Sequence, residues 1–257
     1  SLDVLGVKNK NPGKGFHLVQ TVLCEITPEN TQGFIPDMIH VRVSDAKKYG
    51  RIKLPEGFTS YDNTLFKAAN LIFQKYCKNP AKNIEIEIEK NIPIASGLGG
   101  GSSNGATVLK ALNELLNLNL SIKELESLAA QIGMDAPFFI QGGLALGENF
   151  GEIITSLPEV KGLAFTLVDS SRNSKSLQDS KKIDGPSDKT ALAYASLDLS
   201  KCGKNIDKTV ALIHAIKTND SFAIHENLHN DFETLLEKPL PKNHHLSGAG
   251  PTRFILA

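Results

Sequence analysis

Isoleucine and glutamate alternate strictly over residues 84–89, with Ile84, Ile86 and Ile88 interleaved with Glu85, Glu87 and Glu89. A period of two sends the isoleucines to one face and the glutamates to the other, which predicts a strand with one side buried. Lys90-Asn91-Ile92-Pro93 and a run of glycines end that pattern. Beyond them Val108, Leu109, Leu112, Leu115 and Leu116 recur at steps of three and four, so a helix is predicted to start near Ser102 or Ser103. Ser121-Ile122-Lys123-Glu124 has the form of a capping box, and Leu125, Leu128, Ala129 and Ile132 supply the apolar stripe of a helix that Gly133 would end. Farther along, Leu163, Phe165 and Leu167 predict a strand, Ile206, Val210 and Ile213 a helix, and Ile224, Leu228, Phe232 and Leu235 another. A short apolar run ends at Ala257, while the polar stretch Ser170 to Thr190 reads as a mobile connection. Strands and helices are mixed in both halves, which predicts an α+β fold with two lobes.

Composition narrows the classes of function. With 257 residues, 40% of them hydrophobic, the chain can fill one large core or two smaller ones. Its 28 basic and 28 acidic residues cancel, which removes the long-range field of a nonspecific nucleic-acid or acidic-membrane binder. No nucleic acid and no membrane are therefore expected as partners. No window approaches the ~20 apolar residues of a membrane span, and Ser1 to Val7 lacks the basic flank and apolar run of a signal peptide. Cys24, Cys77 and Cys202 form neither a CxxC pair nor a zinc-knuckle spacing, so they read as reduced thiols. A small-molecule enzyme or an interaction domain fits these bounds.

The chemistry concentrates in residues 93–106, PIASGLGGGSSNGA, which place Gly97, Gly99, Gly100 and Gly101 between a strand and a helix N-terminus. Backbone without Cβ atoms can turn at positive φ and approach a bulky anion, and the free amides and dipole of the following helix favour negative charge. Ser102 and Ser103 add hydroxyls there. No lysine follows these glycines as a Walker loop would require. The dinucleotide fingerprint fails too, because Ser102 and Asn104 stand where its third glycine would be. The alternative is a flexible linker, a poor fit between a strand and a periodic helix. Elsewhere, His225-Glu226-Asn227-Leu228-His229 matches H-E-x-x-H, the spacing that puts two zinc-binding imidazoles on one helix face. The core stripe Ile224, Leu228, Phe232 favours an ordinary surface histidine pair on a structural helix.

PIASGLGGGSSNGA resembles the phosphate loop of the GHMP kinases. The likeness extends to Leu2-Asp3-Val4-Leu5-Gly6, Gly15-Phe16-His17, Asp62-Asn63-Thr64-Leu65, Gly133-Met134-Asp135-Ala136-Pro137-Phe138, Gly151-Glu152-Ile153, Asn230-Asp231-Phe232-Glu233 and Ser247-Gly248-Ala249-Gly250-Pro251-Thr252. It is strong over residues 2–157, patchy over 158–220 and moderate thereafter. Phe16 stands where the family usually has Tyr, and the family's first-strand lysine falls a few residues before Ser1.

The resemblance implies a two-lobed α+β architecture, with residues 1–157 as the N-terminal nucleotide-binding lobe, 158–257 as a ferredoxin-like C-terminal lobe, and the site in the cleft between them. It implies an ATP-dependent kinase acting on a cytidylyl-bearing alcohol, with homoserine or a mevalonate derivative as alternative acceptors and a non-catalytic nucleotide-binding relative as the other alternative. ATP would contact Asn63, Lys90, Pro93, Ile94, Ala95, Ser96, Gly97, Leu98, Gly99, Gly100, Gly101, Ser102 and Ser103. Phe16 and His17 would bind the cytidine, although on sequence alone such a pair is more often packing. Asp135 would accept the proton of the reacting hydroxyl, although on spacing alone capping of a short helix opened by Ala136-Pro137 is the commoner use of such an Asp. Mg²⁺ would accompany ATP, with its protein ligands unassigned. The expected protein is a monomer or weak homodimer of the bacterial cytoplasm, or of a plastid were a transit peptide to precede Ser1.

Overall fold

The computed structural model describes the chain apart from residues 11, 12, 14, 59–62, 78–80 and 169–185. In chain order its strands are β1 (Leu2–Val7), β2 (His17–Cys24), β3 (Met38–Asp45), β4 (Ile52–Lys53), β5 (Lys82–Glu89), β6 (Leu144–Asn149), β7 (Ile153–Ser156), β8 (Phe165–Val168), β9 (His244–Leu246) and β10 (Arg253–Leu256). Its α-helices are α1 (Thr64–Tyr76), α2 (Gly100–Leu115), α3 (Ile122–Ala129), α4 (Phe138–Gln141), α5 (Pro186–Ala195), α6 (Ile206–Thr218) and α7 (Ser221–Glu226). This is the expected α+β mixture. No helix among the described residues is long and apolar enough to cross a membrane.

The chain packs as two compact units, each discontinuous in sequence. Residues 36–93 and 99–142 form one, and residues 1–35, 94–98 and 143–257 form the other. Packing thus joins residues 1–35 and 143–157 of the expected lobe 1–157 to the expected lobe 158–257, because Val4 and Val19 of β1 and β2 share a core with Leu197, Cys202, Phe232 and Leu246.

In the unit built on residues 36–93 and 99–142, β5 is the middle of three strands, antiparallel to β3 and parallel to β4. Ile84, Ile86 and Ile88 oppose Val43, Val41 and Ile39, and this face joins the core with Leu65, Ile72, Leu109 and Leu112 of α1 and α2. The glutamates face away, where Glu87 pairs with Arg42 at 3.1 Å and Glu85 with Lys53. Helix α2 begins at Gly100, earlier than the apolar spacing predicts, because Gly99 turns the chain in the left-handed region at φ 68°. Leu115, counted in its stripe, is exposed. The capping box is present: the Ser121 hydroxyl accepts from the Glu124 amide at 3.3 Å, and the Glu124 carboxylate accepts from the Ser121 amide at 2.9 Å. Helix α3 ends at Ala129, before Gly133, but Ile132 is still buried in the turn that follows.

The other unit has an antiparallel sheet ordered β1-β2-β6-β7 and a second ordered β8-β10-β9. Two expectations fail here. Helix α6 buries Thr209, Leu212, Ala215 and Ile216 and exposes Ile206 and Val210, so its buried face is rotated from the apolar stripe. The single helix carrying Ile224 through Leu235 does not form. Helix α7 stops at Glu226, and a separate 3-10 helix occupies Asp231–Leu235. Side chains divert the backbone between them: Asn227 Nδ2 donates to the Ala223 carbonyl at 2.7 Å, and Asn230 Oδ1 accepts from the Phe232 amide at 3.0 Å. Of the expected connection Ser170 to Thr190, residues 170–185 lie outside the described residues, and its end is helical in α5.

Candidate active site

The α2 half of the glycine loop belongs to the unit of residues 36–93 and 99–142. Four amides open any α-helix without an intrahelical acceptor, and no side chain caps α2. That leaves amide donors of its first turn facing outward at the positive end of the helix dipole, an arrangement that suits an anion. The glycines there are required for different reasons. Gly99 has φ 68°, and a Cβ on it would lie 2.8 Å from the Phe139 ring. A Cβ on Gly100 would lie 2.8 Å from Ile92 Cγ2. Gly101 is exposed and helical, and a Cβ there would meet nothing closer than Thr64 Oγ1 at 3.7 Å. Packing explains Gly99 and Gly100; it does not explain Gly101. The Ser103 hydroxyl is spent on the Gly100 carbonyl at 2.9 Å. Ser102 Oγ lies 3.7 Å from the place a Gly133 Cβ would take, at the start of the turn that carries Asp135.

Lys90 lies beside this turn, its Nζ 3.4 Å from the position a Gly100 Cβ would occupy. It donates to Asp37 Oδ2 at 2.6 Å and to the Ile92 carbonyl. Asp37 escapes a sequence search, since a lone acidic residue after Pro36 has no spacing or motif. Asn63 serves as the N-cap of α1, accepting from the Leu65 amide at 2.9 Å, so its carbonyl is used structurally. Asp62 of the same segment lies outside the described residues.

Asp135 sits in the turn between α3 and α4, where the Ala136 amide donates to the Gly133 carbonyl at 3.1 Å. It does not cap α4, whose N-cap is Pro137 and which has no side-chain cap. Solvent reaches the Asp135 side chain, which has no hydrogen-bond partner among the described residues. Protein massed around it nevertheless disfavours the charged form and raises its pKa above the ordinary carboxylate value. A solvent-accessible carboxylate, free of structural duty and with a raised pKa, can take up a proton.

The remaining candidates, Pro93 apart, belong to the other unit. Pro93 is exposed at the end of the first, and Ile94, 62% exposed, begins the segment 94–98. Ala95 adopts φ 55°. Ser96 is buried, its hydroxyl accepting from the Leu98 amide at 3.4 Å and its carbonyl from the Thr252 amide at 3.1 Å. A Cβ on Gly97, at φ 84°, would overlap the Ser247 carbonyl, so this glycine is required by the Ser247-Gly248-Ala249-Gly250 turn. Asn230 shapes that turn by donating to the Leu246 and Gly248 carbonyls at 2.9 and 2.8 Å. Phe16 is 49% exposed, with its ring 5.4 Å from that of Phe150. His17 opens β2 with its ring 4.7 Å from Tyr194, and burial lowers its pKa, which favours a neutral ring able both to donate and to accept. Pro12 and Lys14, which precede them in sequence, lie outside the described residues.

The H-E-x-x-H geometry is overturned. His225 is in α7 and His229 beyond its end, so the two do not share a helix face. Nor is the pair on the surface: His229 is buried, with Nε2 2.9 Å from Asp3 Oδ2 and Nδ1 2.9 Å from the Asn227 carbonyl. Among the described residues no three His, Cys, Asp or Glu side chains are grouped to hold a metal ion.

The family described as GHMP kinases N terminal domain matches residues 63–143, which include α1, the α2 half of the glycine loop and the Asp135 turn. A 4-diphosphocytidyl-2-C-methyl-D-erythritol kinase from Acetivibrio thermocellus is 34% identical over 245 residues, covering 93% of this chain and 74% of the relative. The protein of the same description from Gloeobacter violaceus is 32% identical, covering 100% and 82%. Among solved structures, a 4-(cytidine 5'-diphospho)-2C-methyl-D-erythritol kinase aligns with TM-score 0.57 and 23% identity over 100% of this chain and 85% of that one. A homoserine kinase from Cytophaga hutchinsonii aligns with TM-score 0.57 and 19% identity over 100% and 84%, so the fold is shared across substrates. The chain belongs to the GHMP kinases, and within them to the family of 4-diphosphocytidyl-2-C-methyl-D-erythritol kinases.

Proposed function

We infer that this chain catalyses ATP-dependent phosphorylation of the 2-hydroxyl of 4-diphosphocytidyl-2-C-methyl-D-erythritol, a step toward isoprenoid precursors by the non-mevalonate route in the bacterial cytoplasm. The observation that carries the nucleotide half is Gly101, an exposed helical glycine whose missing side chain no protein packing requires. Glycine in a helix costs roughly 0.5–1 kcal/mol relative to alanine, and close approach of a phosphate offsets that cost. The first-turn amides of α2, with Ser102, hold the triphosphate, and Lys90 adds a donor at the same place. Asp135 supports the acceptor half. It takes the proton of the 2-hydroxyl as that oxygen bonds to the γ-phosphorus and the bridge to the β-phosphate breaks, releasing ADP. A Mg²⁺ ion accompanying ATP would supply positive charge to such a transfer. Phe16 offers an aromatic face for the cytosine and His17 a hydrogen bond to it, so remote binding energy positions the hydroxyl.

The test is ADP release with ATP and each of four acceptors: the cytidylyl conjugate, methylerythritol phosphate, homoserine and mevalonate. The conjugate is expected to react at least a hundredfold more efficiently than the others. Equal turnover of methylerythritol phosphate, or a preference for homoserine or mevalonate, would overturn the assignment.

A further inference from the structure

Asp37 accepts four hydrogen bonds, more than any other described carboxylate near the phosphate loop, although it belongs to no motif. Its side chain is 2% exposed, immediately before β3. Oδ1 accepts the consecutive amides of Asn91 and Ile92 at 2.7 and 2.8 Å. Oδ2 accepts Lys90 Nζ at 2.6 Å and Asn104 Nδ2, from α2, at 2.9 Å. Four donors satisfy the two oxygens. Burial by itself raises the pKa of the group, but these bonds outweigh it and hold the carboxyl below its ordinary value.

The geometry gives this carboxylate a consequence for the loop. Ile92 is gripped at both ends of its backbone, its amide by Asp37 and its carbonyl by Lys90, and its Cγ2 is the atom lying beneath Gly100. The Lys90 ammonium stands beside the first turn of α2, where the helix dipole is positive and repels a cation. Asp37 offsets that repulsion. With two of its three N–H bonds committed to Asp37 and Ile92, Lys90 has one left that meets no acceptor among the described residues. Asn104 ties the same carboxylate oxygen to the helix whose amides face the anion.

We propose that Asp37 is the positioning residue of the nucleotide site, acting through Lys90: it fixes the ammonium against the N-terminus of α2 so that the remaining N–H meets the ATP phosphates. This rests on the phosphate loop binding ATP, as inferred above. Asp37→Asn keeps the shape and leaves one oxygen for the Asn91 and Ile92 amides, but it turns an amide donor toward Lys90 and Asn104, which are also donors.

The experiment compares wild type, Asp37→Asn, Lys90→Met and the double variant in steady-state kinetics, with ATP binding measured directly by calorimetry. Asp37→Asn is expected to raise the KM for ATP at least tenfold, to change kcat less than about threefold, and to leave the KM of the alcohol unchanged. Lys90→Met should raise the KM for ATP similarly, and the double variant should exceed Lys90→Met by less than about twofold. A merely structural role would move both KM values and kcat together and multiply the two effects, and that result would overturn the proposal. So would an unchanged KM for ATP in Lys90→Met, a test that holds even if Asp37→Asn does not fold. ATP binding by the wild type with an unaltered Asp37→Asn refutes this inference alone; a wild type that binds no ATP refutes the nucleotide assignment and this inference with it.

Discussion

Gly101→Ala separates a glycine kept for a ligand from one kept for the fold. In the protein alone the change should be favourable, because Gly101 is already helical and its Cβ would sit 3.7 Å from Thr64 Oγ1, an ordinary contact. Removing glycine's excess backbone freedom is worth roughly 0.5–1 kcal/mol, which for a chain of this length raises the unfolding midpoint by about 1–4 °C. ATP should respond in the opposite direction. Every Cβ in a helix tilts toward the N-terminus, so the new methyl enters the space in front of the first-turn amides. Losing one charge-assisted hydrogen bond to phosphate costs about 1.5–3 kcal/mol, or roughly a tenfold to hundredfold loss of affinity. Gly100→Ala is the control. Its methyl would lie 2.8 Å from Ile92 Cγ2, so it should lower stability by about 1–3 kcal/mol through overpacking. Calorimetric ATP titration and thermal melts on the two variants give the comparison. A more stable Gly101→Ala that binds ATP as wild type does would mean that no phosphate approaches this turn.

Three further outcomes are expected. Asp135→Asn should lower kcat by about 10² to 10⁴ with ATP affinity unchanged; its raised pKa means the ionised form burdens the fold above that pKa, so melts near neutral pH should show no loss of stability, and wild-type kcat should fall as pH drops through that pKa. Asp3 is fully buried, and although burial opposes ionisation, the hydrogen bonds from His229 and Thr209 hold its pKa below the ordinary value. Its stabilising contribution is therefore present above about pH 4 and lost as pH falls through the native pKa, and Asp3→Ala should cost about 3–5 kcal/mol in neutral-pH denaturation and flatten the acid limb. His225→Ala should leave turnover unchanged, and elemental analysis of the purified protein should find no stoichiometric zinc; one zinc per chain, lost in that variant, would contradict the position of His229 beyond the end of α7.

What could be read from the chain alone was what local chemistry decides. The Ile–Glu alternation of β5 needs only a buried side to become a strand, and the Ser121–Glu124 box closes within one turn. The glycine-rich turn before α2 is visible because positive φ and an uncapped helix start are properties of a few consecutive residues. Tertiary structure decided the rest. Which glycine serves a ligand depends on what lies opposite each one: Ile92 beneath Gly100, the Ser247 carbonyl against Gly97, only an ordinary contact with Thr64 at Gly101. Asp37 gains its importance from donors 53 to 67 residues away, and the buried face of α6 follows the core that Leu212 and Ile216 join rather than the stripe of Ile206 and Val210. His229 left the predicted helix because its imidazole reaches Asp3 at the other end of the chain. Turns and caps are settled by neighbours in sequence, whereas helix phase, glycine necessity and buried charge are settled by whatever packing brings alongside, which spacing along the chain does not encode.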